Sequence, residues 1–467
     1  MSIIMRVYYG AVVNPQTLTD TQLLPRCLLA VGAAGTIEWL VEDVESALVQ
    51  QALVEKGCAD AEVVELRHGE LLMPGFVDTH THAPQKPNIG SGQQYELLDW
   101  LEHVTFPMEA KFADVDFARR TYKSVVQRII NCGTTTCCYY ATLHLEASKI
   151  LADIVHESGQ RAFIGKCNMD RNSPDHYREA SPEASVADTK ALIAHIANYP
   201  SSDLQRVRAI LTPRFAISCT PPLLFGLGKL AASDPSLRIQ THISENRGEI
   251  AFTKELFPDC ASYAHVYDKF GLLRGNTVLA HAIHLEPAEV ELIKARNAGI
   301  SHCPTSNFNL SSGVAPVGEY LDKGIKVGLG TDVSGGFSPS ILNAVQNASI
   351  ASKVIAMRST APSSSSLFAN RQLSVSTLLF LATLGGAQVC ALDAHIGSFA
   401  PGKAFDALLV NVRNDSANPN LWGVDPDMEV RDNLMGLLER FLFCGDDRNI
   451  SGVFVQGRLI GGTSFRK

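Results

Sequence analysis

The sequence predicts an α/β protein, a (β/α)8 TIM barrel with a small β-sandwich built from both termini. Two observations carry this. Eight short β-branched runs recur between Phe76 and Val333, separated by helix-like stretches. Each run also ends in polar or chemically active residues, as expected for a barrel that collects its chemistry at the C-terminal strand ends.

The runs are FVDTHTH (76–82), GTTTCCYY (133–140), RAFIGKCNM (161–169), RVRAILTPRF (206–215), LRIQTHIS (237–244), NTVLAHAI (276–283), GISHCPTSN (299–307) and KVGLGTDV (326–333). Between them, FARRTYKSVVQRII and PAEVELIKARN space their apolar residues near the helical period. Strands alternating with helices imply parallel pairing through right-handed crossovers, and eight strands close a barrel. Outside it, RVYYGAVV, RCLLAVGAAGTIEWL and AEVVELRHGELL near the start, and AFDALLVNV and ISGVFVQGRLI near the end, read as strands. The expected division is 1–72 with 400–467 as a composite β-sandwich, and 73–399 as the barrel. The Ser-rich stretch 358–374 is expected to be an exposed loop before the last barrel helix.

Composition sets the partner classes. A formal charge of −8 with no Lys/Arg-rich run argues against nucleic acid or an acidic membrane surface. No apolar run approaches a membrane span, and no basic segment followed by an apolar one marks a signal peptide. The eleven cysteines are scattered without a C-x-x-C, which suits reduced thiols in a cytosolic protein better than disulfides or zinc knuckles.

The first run raises the chemical question. In a strand, alternate side chains share a face, so His80 and His82 project side by side. That is half of a metal site or an unusual piece of packing. His242 ends the fifth run and Asp332 the eighth. Three imidazoles and a carboxylate at one end of a barrel suit Zn²⁺ or Fe²⁺ with room left for water. Such a metal makes water acidic near neutral pH, so a proton acceptor is needed nearby. Glu245, three residues after His242, is the candidate; its alternative is an N-cap or first-turn acid for the helix that follows. Asp332 can also accept a hydrogen bond from the water. His281 ends the sixth run and is placed to hold water or a developing oxyanion, ahead of His284. His302 and Cys303 are expected to shape the loop after the seventh strand.

PGFVDTHTH, the H-x-x-E after the fifth strand, the sixth-strand His and the G-T-D of the eighth resemble the amidohydrolase superfamily over essentially the whole chain. The resemblance implies a metal-dependent hydrolase barrel with a flanking β-sandwich. Dinuclear members carry a lysine at the end of strand four; here that strand ends TPRF and Lys166 lies in strand three, which implies one Zn²⁺ per subunit. More narrowly, THTHAPQ, LLDWLEHVTFPMEAKF, TPRFAISC, HISENRGE, SHCPTSNFNLSSG and FLFCGDDRNI together are similar to the guanine deaminase branch of that superfamily. That branch implies hydrolysis of guanine by water to xanthine and ammonia in purine catabolism, in a homodimer. It implies metal ligands His80, His82, His242 and Asp332, with Glu245, His281 and Asp332 catalytic. It also implies substrate contacts from Gln85, Arg214 and Phe215 beside His82, His242, Glu245 and Asp332. Arg214 brings a rigid fork of donors, Gln85 an amide that donates and accepts, and Phe215 a ring that stacks on the base or walls the pocket. Lys86 stands where the family often has an aromatic residue, at the pocket rim. The alternatives are another aminohydrolase of the superfamily, acting on a modified purine, cytosine or a triazine, and a non-enzymatic assembly scaffold. Without a C-x-x-C, the unrelated H-x-E/P-C-x-x-C zinc deaminases are excluded.

Overall fold

The computed structural model describes residues 4–200, 205–360, 366–421 and 431–465. Its barrel strands are Phe76–His82, Thr134–Tyr140, Arg161–Gly165, Val207–Pro213, Arg238–Ile243, Thr277–His281, Gly299–His302 and Lys326–Leu329. Each pairs in parallel with the next in chain order. The eighth meets the first where Thr79 Oγ1 donates to Leu329 O at 2.8 Å and Asp332 N to His80 O at 2.9 Å. The expected (β/α)8 architecture is present.

Several strands are shorter than their runs suggested, the third, seventh and eighth most of all. The seventh stops at His302, because Pro304 has no N–H for the ladder and opens the helix Pro304–Asn309 instead. The third stops at Gly165, and Cys167–Asn168 pairs separately with the end of the fourth. The helices follow their apolar period. Val115–Asn131 buries Ala118, Tyr122, Val125, Ile129 and Ile130 along one stripe, and Asp114 caps its start by accepting from Asp116 N and Phe117 N.

Both ends of the chain build one further eight-stranded sheet, joined where Ala407–Asn411 runs antiparallel to Glu70–Pro74. Its arms fold over a shared core in which Tyr8 stacks on Phe405 at 5.0 Å and meets Phe454 edge-on at 6.1 Å. Its outlying hairpins touch so closely that Gly35, at φ +75°, has no room for a side chain. A Cβ there would lie 1.9 Å from Gln456 O. The sheet is fixed to the barrel by a buried ion pair, Arg161 Nε to Asp406 Oδ2 at 2.8 Å.

Of the Ser-rich stretch, residues 361–365 lie outside the described residues. The described flank before the helix Val375–Phe380 is a loop, but it is not wholly exposed: Leu367 is, whereas Phe368 and Leu373 are buried in the core. No helix among the described residues is long and apolar enough to cross a membrane, and every cysteine among them is a free thiol.

Candidate active site

The strand ends bring the four proposed ligands together. His80 Nε2 lies 3.1 Å from Asp332 Oδ1, and His82 Nε2 lies 3.2 Å from His242 Nε2 and 3.4 Å from Asp332 Oδ1. One donor atom from each of the four falls within 4.8 Å of all the others. The surroundings suit metal binding. His242 Nδ1 donates to Arg214 O at 2.6 Å, which leaves Nε2 as the lone-pair nitrogen facing the cluster. Burial first, and then neighbouring histidines, push His82 and His242 well below the usual imidazole range, so both rings are neutral nitrogen donors. Burial alone would raise Asp332, but the imidazoles of His80, His281 and His82 hold it well below the usual carboxylate range. Three neutral nitrogen donors and one carboxylate match a borderline divalent ion.

Two backbone features aim this set. Asp332 adopts φ +43°, a left-handed conformation that Asp tolerates better than most residues. The preceding Thr331 is pinned by Asp78, whose carboxylate accepts from Thr331 N, Thr331 Oγ1 and His80 N at 3.1, 2.6 and 3.2 Å. One buried acid thus ties the first strand to the eighth.

Glu245 is fully buried beside the cluster. Capping does not occupy it: Asn246 is the N-cap of Arg247–Leu256, and Glu249 completes the capping box. Glu249 Oε2 also accepts from Glu245 N at 2.8 Å. The Glu245 carboxylate therefore turns inward, its Oε2 3.4 Å from His281 Nε2 and its Oε1 accepting from Ser312 Oγ at 3.4 Å. Burial, Asp332 and Glu249 push its carboxyl well above the usual range. His281 Nδ1 donates to Asn307 Oδ1 at 2.9 Å. His284 is spent elsewhere, donating to Ser312 O at 2.8 Å. His302 lines a separate cavity with Ala315, Val317 and Phe368. Cys303, expected only to shape a loop, brings its thiol within 4.8 Å of His80 and His281 nitrogens.

All seven residues expected to contact substrate line one cavity of about 370 Å³: His82, Gln85, Arg214, Phe215, His242, Glu245 and Asp332. Leu97, Trp100, Leu101 and Leu310 complete its walls. Lys86 is not among them; its Nζ donates to Ser124 Oγ at 2.8 Å, away from the cavity. Lys166 is held in a buried ion pair with Glu179.

Residues 71–460 match the amidohydrolase family. The chain belongs to the amidohydrolase family. It is 44% identical to a probable guanine deaminase of Schizosaccharomyces pombe, over 98% of this chain and 83% of that one. It is 41% identical to guanine deaminase of Dictyostelium discoideum, over 98% of each chain. Guanine deaminase of C. acetobutylicum, solved with guanine in its active site, superposes with a TM-score of 0.84 at 35% identity, covering 97% of this chain and 99% of that one. As a member of this family the chain is a hydrolytic enzyme, and its histidine and aspartate cluster is able to hold a metal ion.

Several residues around this amidohydrolase pocket were not singled out from sequence. Leu97, Trp100 and Leu101 fall at i, i+3 and i+4, an apolar helical stripe that was there to be read in LLDWLEHV. Glu109 gave no such signal. It is fully buried and binds both Gln85 and Arg214, contacts that span 24 and 105 residues of chain. Arg214 is accordingly neither a surface cation nor free; its guanidinium forks onto Glu109 at 2.7 and 3.2 Å.

Proposed function

We propose that this chain hydrolyses guanine to xanthine and ammonia: water forms a bond to C2, the bond from C2 to the exocyclic nitrogen breaks, and that nitrogen leaves as ammonia. The observation that carries the reading is one small cavity with two unlike walls. On one side stand His82, His242 and Asp332, with His80 behind them against Asp332; on the other a buried Arg214 and Gln85 present hydrogen-bonding groups beside the Phe215 ring. The names of the relatives support the same substrate.

Zn²⁺ is the ion this donor set suits, held once per subunit by His80, His82, His242 and Asp332, and when bound it supplies Lewis acidity that brings the pKa of water from ~15.7 towards ~7. Proton movement falls to the protein. Glu245, with its carboxyl pushed upward by burial, takes a proton at a carboxylate oxygen and returns it to the leaving nitrogen; a carboxyl raised from its usual range holds that proton more readily between the two transfers. His281, with its Nδ1 proton committed to Asn307, presents Nε2 as an acceptor. In that tautomer it orients a water, whereas holding an oxyanion requires the doubly protonated ring. Asp332 offers its second oxygen, 3.7 Å from His281 Nε2, to the same water. Arg214 and Gln85 hold the ring edge, and Phe215 covers the ring face. Leu97, Trp100, Leu101 and Leu310 exclude bulk water.

The reading extends to a cytosolic homodimer in purine catabolism, supported by the acidic charge, the scattered thiols and the family resemblance. The experiment that tests the activity follows guanine loss with xanthine and ammonia release, in zinc-loaded protein beside chelator-treated protein. Metal-dependent conversion is expected. Guanine left intact by zinc-loaded protein would discard the substrate.

A further inference from the structure

Glu109 is 0% exposed and sits behind the substrate wall rather than in it; the cavity lining includes Gln85 and Arg214 but not Glu109. Four hydrogen bonds converge on its carboxylate, from Gln85 Nε2 at 2.8 Å, Arg214 Nη1 at 2.7 Å, Arg214 Nη2 at 3.2 Å and Tyr177 OH at 2.6 Å. Four is the number of lone-pair sites a carboxylate offers, so this acceptor is saturated. The other end of the Gln85 amide is assigned too, since Gln85 Oε1 accepts from Ser334 N at 3.1 Å. An amide flip would turn the Gln85 oxygen towards a carboxylate and its nitrogen towards an N–H, placing two acceptors together and two donors together. Glu109 therefore fixes which end of Gln85 is which. It also takes two of the five N–H groups of Arg214, holding the guanidinium in plane while Phe106 supports it at 5.4 Å.

From this we infer that Glu109 is a positioning residue that sets the hydrogen-bond polarity of the substrate wall. It leaves three N–H groups of Arg214 and one N–H and one lone pair of Gln85 unassigned by the network, a donor-rich edge that selects a ring bearing a carbonyl acceptor over the same ring without one. The inference rests on the functional reading above and deepens it. A purely structural Glu109, present only to neutralise a buried cation, would affect all ligands alike.

The test compares guanine with 2-aminopurine, which keeps the reacting amino group and lacks the ring carbonyl, scored as substrate or as competitive inhibitor. The variants are Glu109→Gln, which keeps the shape but can donate, and Tyr177→Phe, which removes one of the four bonds and keeps the ion pair. In Glu109→Gln, kcat/KM for guanine should fall roughly 10²-fold, the scale of loss when a bound group is displaced by about 1 Å. Most of the loss should lie in KM, with zinc content unchanged. The preference for guanine over 2-aminopurine should narrow by about tenfold or more, the value of one well-made hydrogen bond to a charged group. Tyr177→Phe should narrow it in the same direction by less, and carries the test if Glu109→Gln does not fold. A preference unchanged from wild type in a folded variant would overturn the inference while leaving the guanine assignment standing. Wild-type protein inert towards guanine would instead overturn the functional reading beneath it.

Discussion

Glu245 Oε2 stands 3.4 Å from His281 Nε2, and each of the two residues is held by a different part of the chain. Glu249 accepts from the Glu245 backbone, while Asn307, in the helix after the seventh strand, fixes the far side of the His281 ring. The proton carrier of the proposed reaction and the ring that orients its water are thus supported by residues outside the four-residue donor set.

Glu245→Gln separates proton transfer from metal binding. Glutamine keeps the shape but cannot carry the proton, so kcat should fall by ~10²-fold or more. Zinc content should be unchanged, because Glu245 is outside the four-residue donor set. Steady-state kinetics beside metal analysis check both halves, and near-normal turnover would remove Glu245 from the mechanism.

The site was more legible in the sequence than its supports were. His80, His82, His242 and Asp332 were readable because a barrel strand has a defined end, and a strand's alternation puts residues two apart on one face. Glu245 was readable as a neighbour of His242, but its competing role as a helix cap was settled only by finding Asn246 and Glu249 in that position. Glu109, Asn307 and Asp78 were not readable, for one reason. Their partners are 105, 26 and 253 residues away, and no local pattern encodes a contact at that range. In the fold, by contrast, the early end of the seventh strand had a local cause inside its own run, Pro304, which opens a helix in place of the last residues of that run.

Arg214→Ala should damage recognition and stability together. The substitution removes donors from the substrate wall and leaves Glu109, fully buried, without its counter-charge. Breaking a buried pair on one side costs ~3–5 kcal/mol. A fall in kcat/KM for guanine with zinc retained is expected, together with a lower thermal midpoint. An unchanged kcat/KM would withdraw Arg214 from substrate binding.

Chelation should act on stability as well as on turnover. A ligand that binds only the folded chain stabilises it by ~4 kcal/mol when present at a thousand times its Kd. Stripping zinc should therefore lower the melting temperature and abolish guanine conversion, and Zn²⁺ should restore both. An identical melt before and after complete stripping would mean that His80, His82, His242 and Asp332 do not hold the ion.

The last prediction concerns His302, which lies outside the metal cluster. It is 2% exposed, its Nδ1 is buried without a hydrogen-bond partner, and burial, with a smaller effect from His281, takes its pKa down to about 3. The unfolded chain titrates this group near 6.5. Between about pH 6.5 and about pH 3 the unfolded state holds a proton that the folded state lacks, so stability rises with pH across that window. The contribution is complete above the unfolded value and is lost as pH falls, by ~1.4 kcal/mol per pH unit. His302→Gln keeps a polar side chain and removes the titration. Denaturant midpoints of metal-free protein at pH 7.5, 6.5 and 5.5 should then fall less steeply for the variant, while protonation of the metal ligands remains common to both chains. Parallel curves would mean that His302 takes up its proton in the folded protein at the ordinary pH, and that the barrel wall around it opens to water.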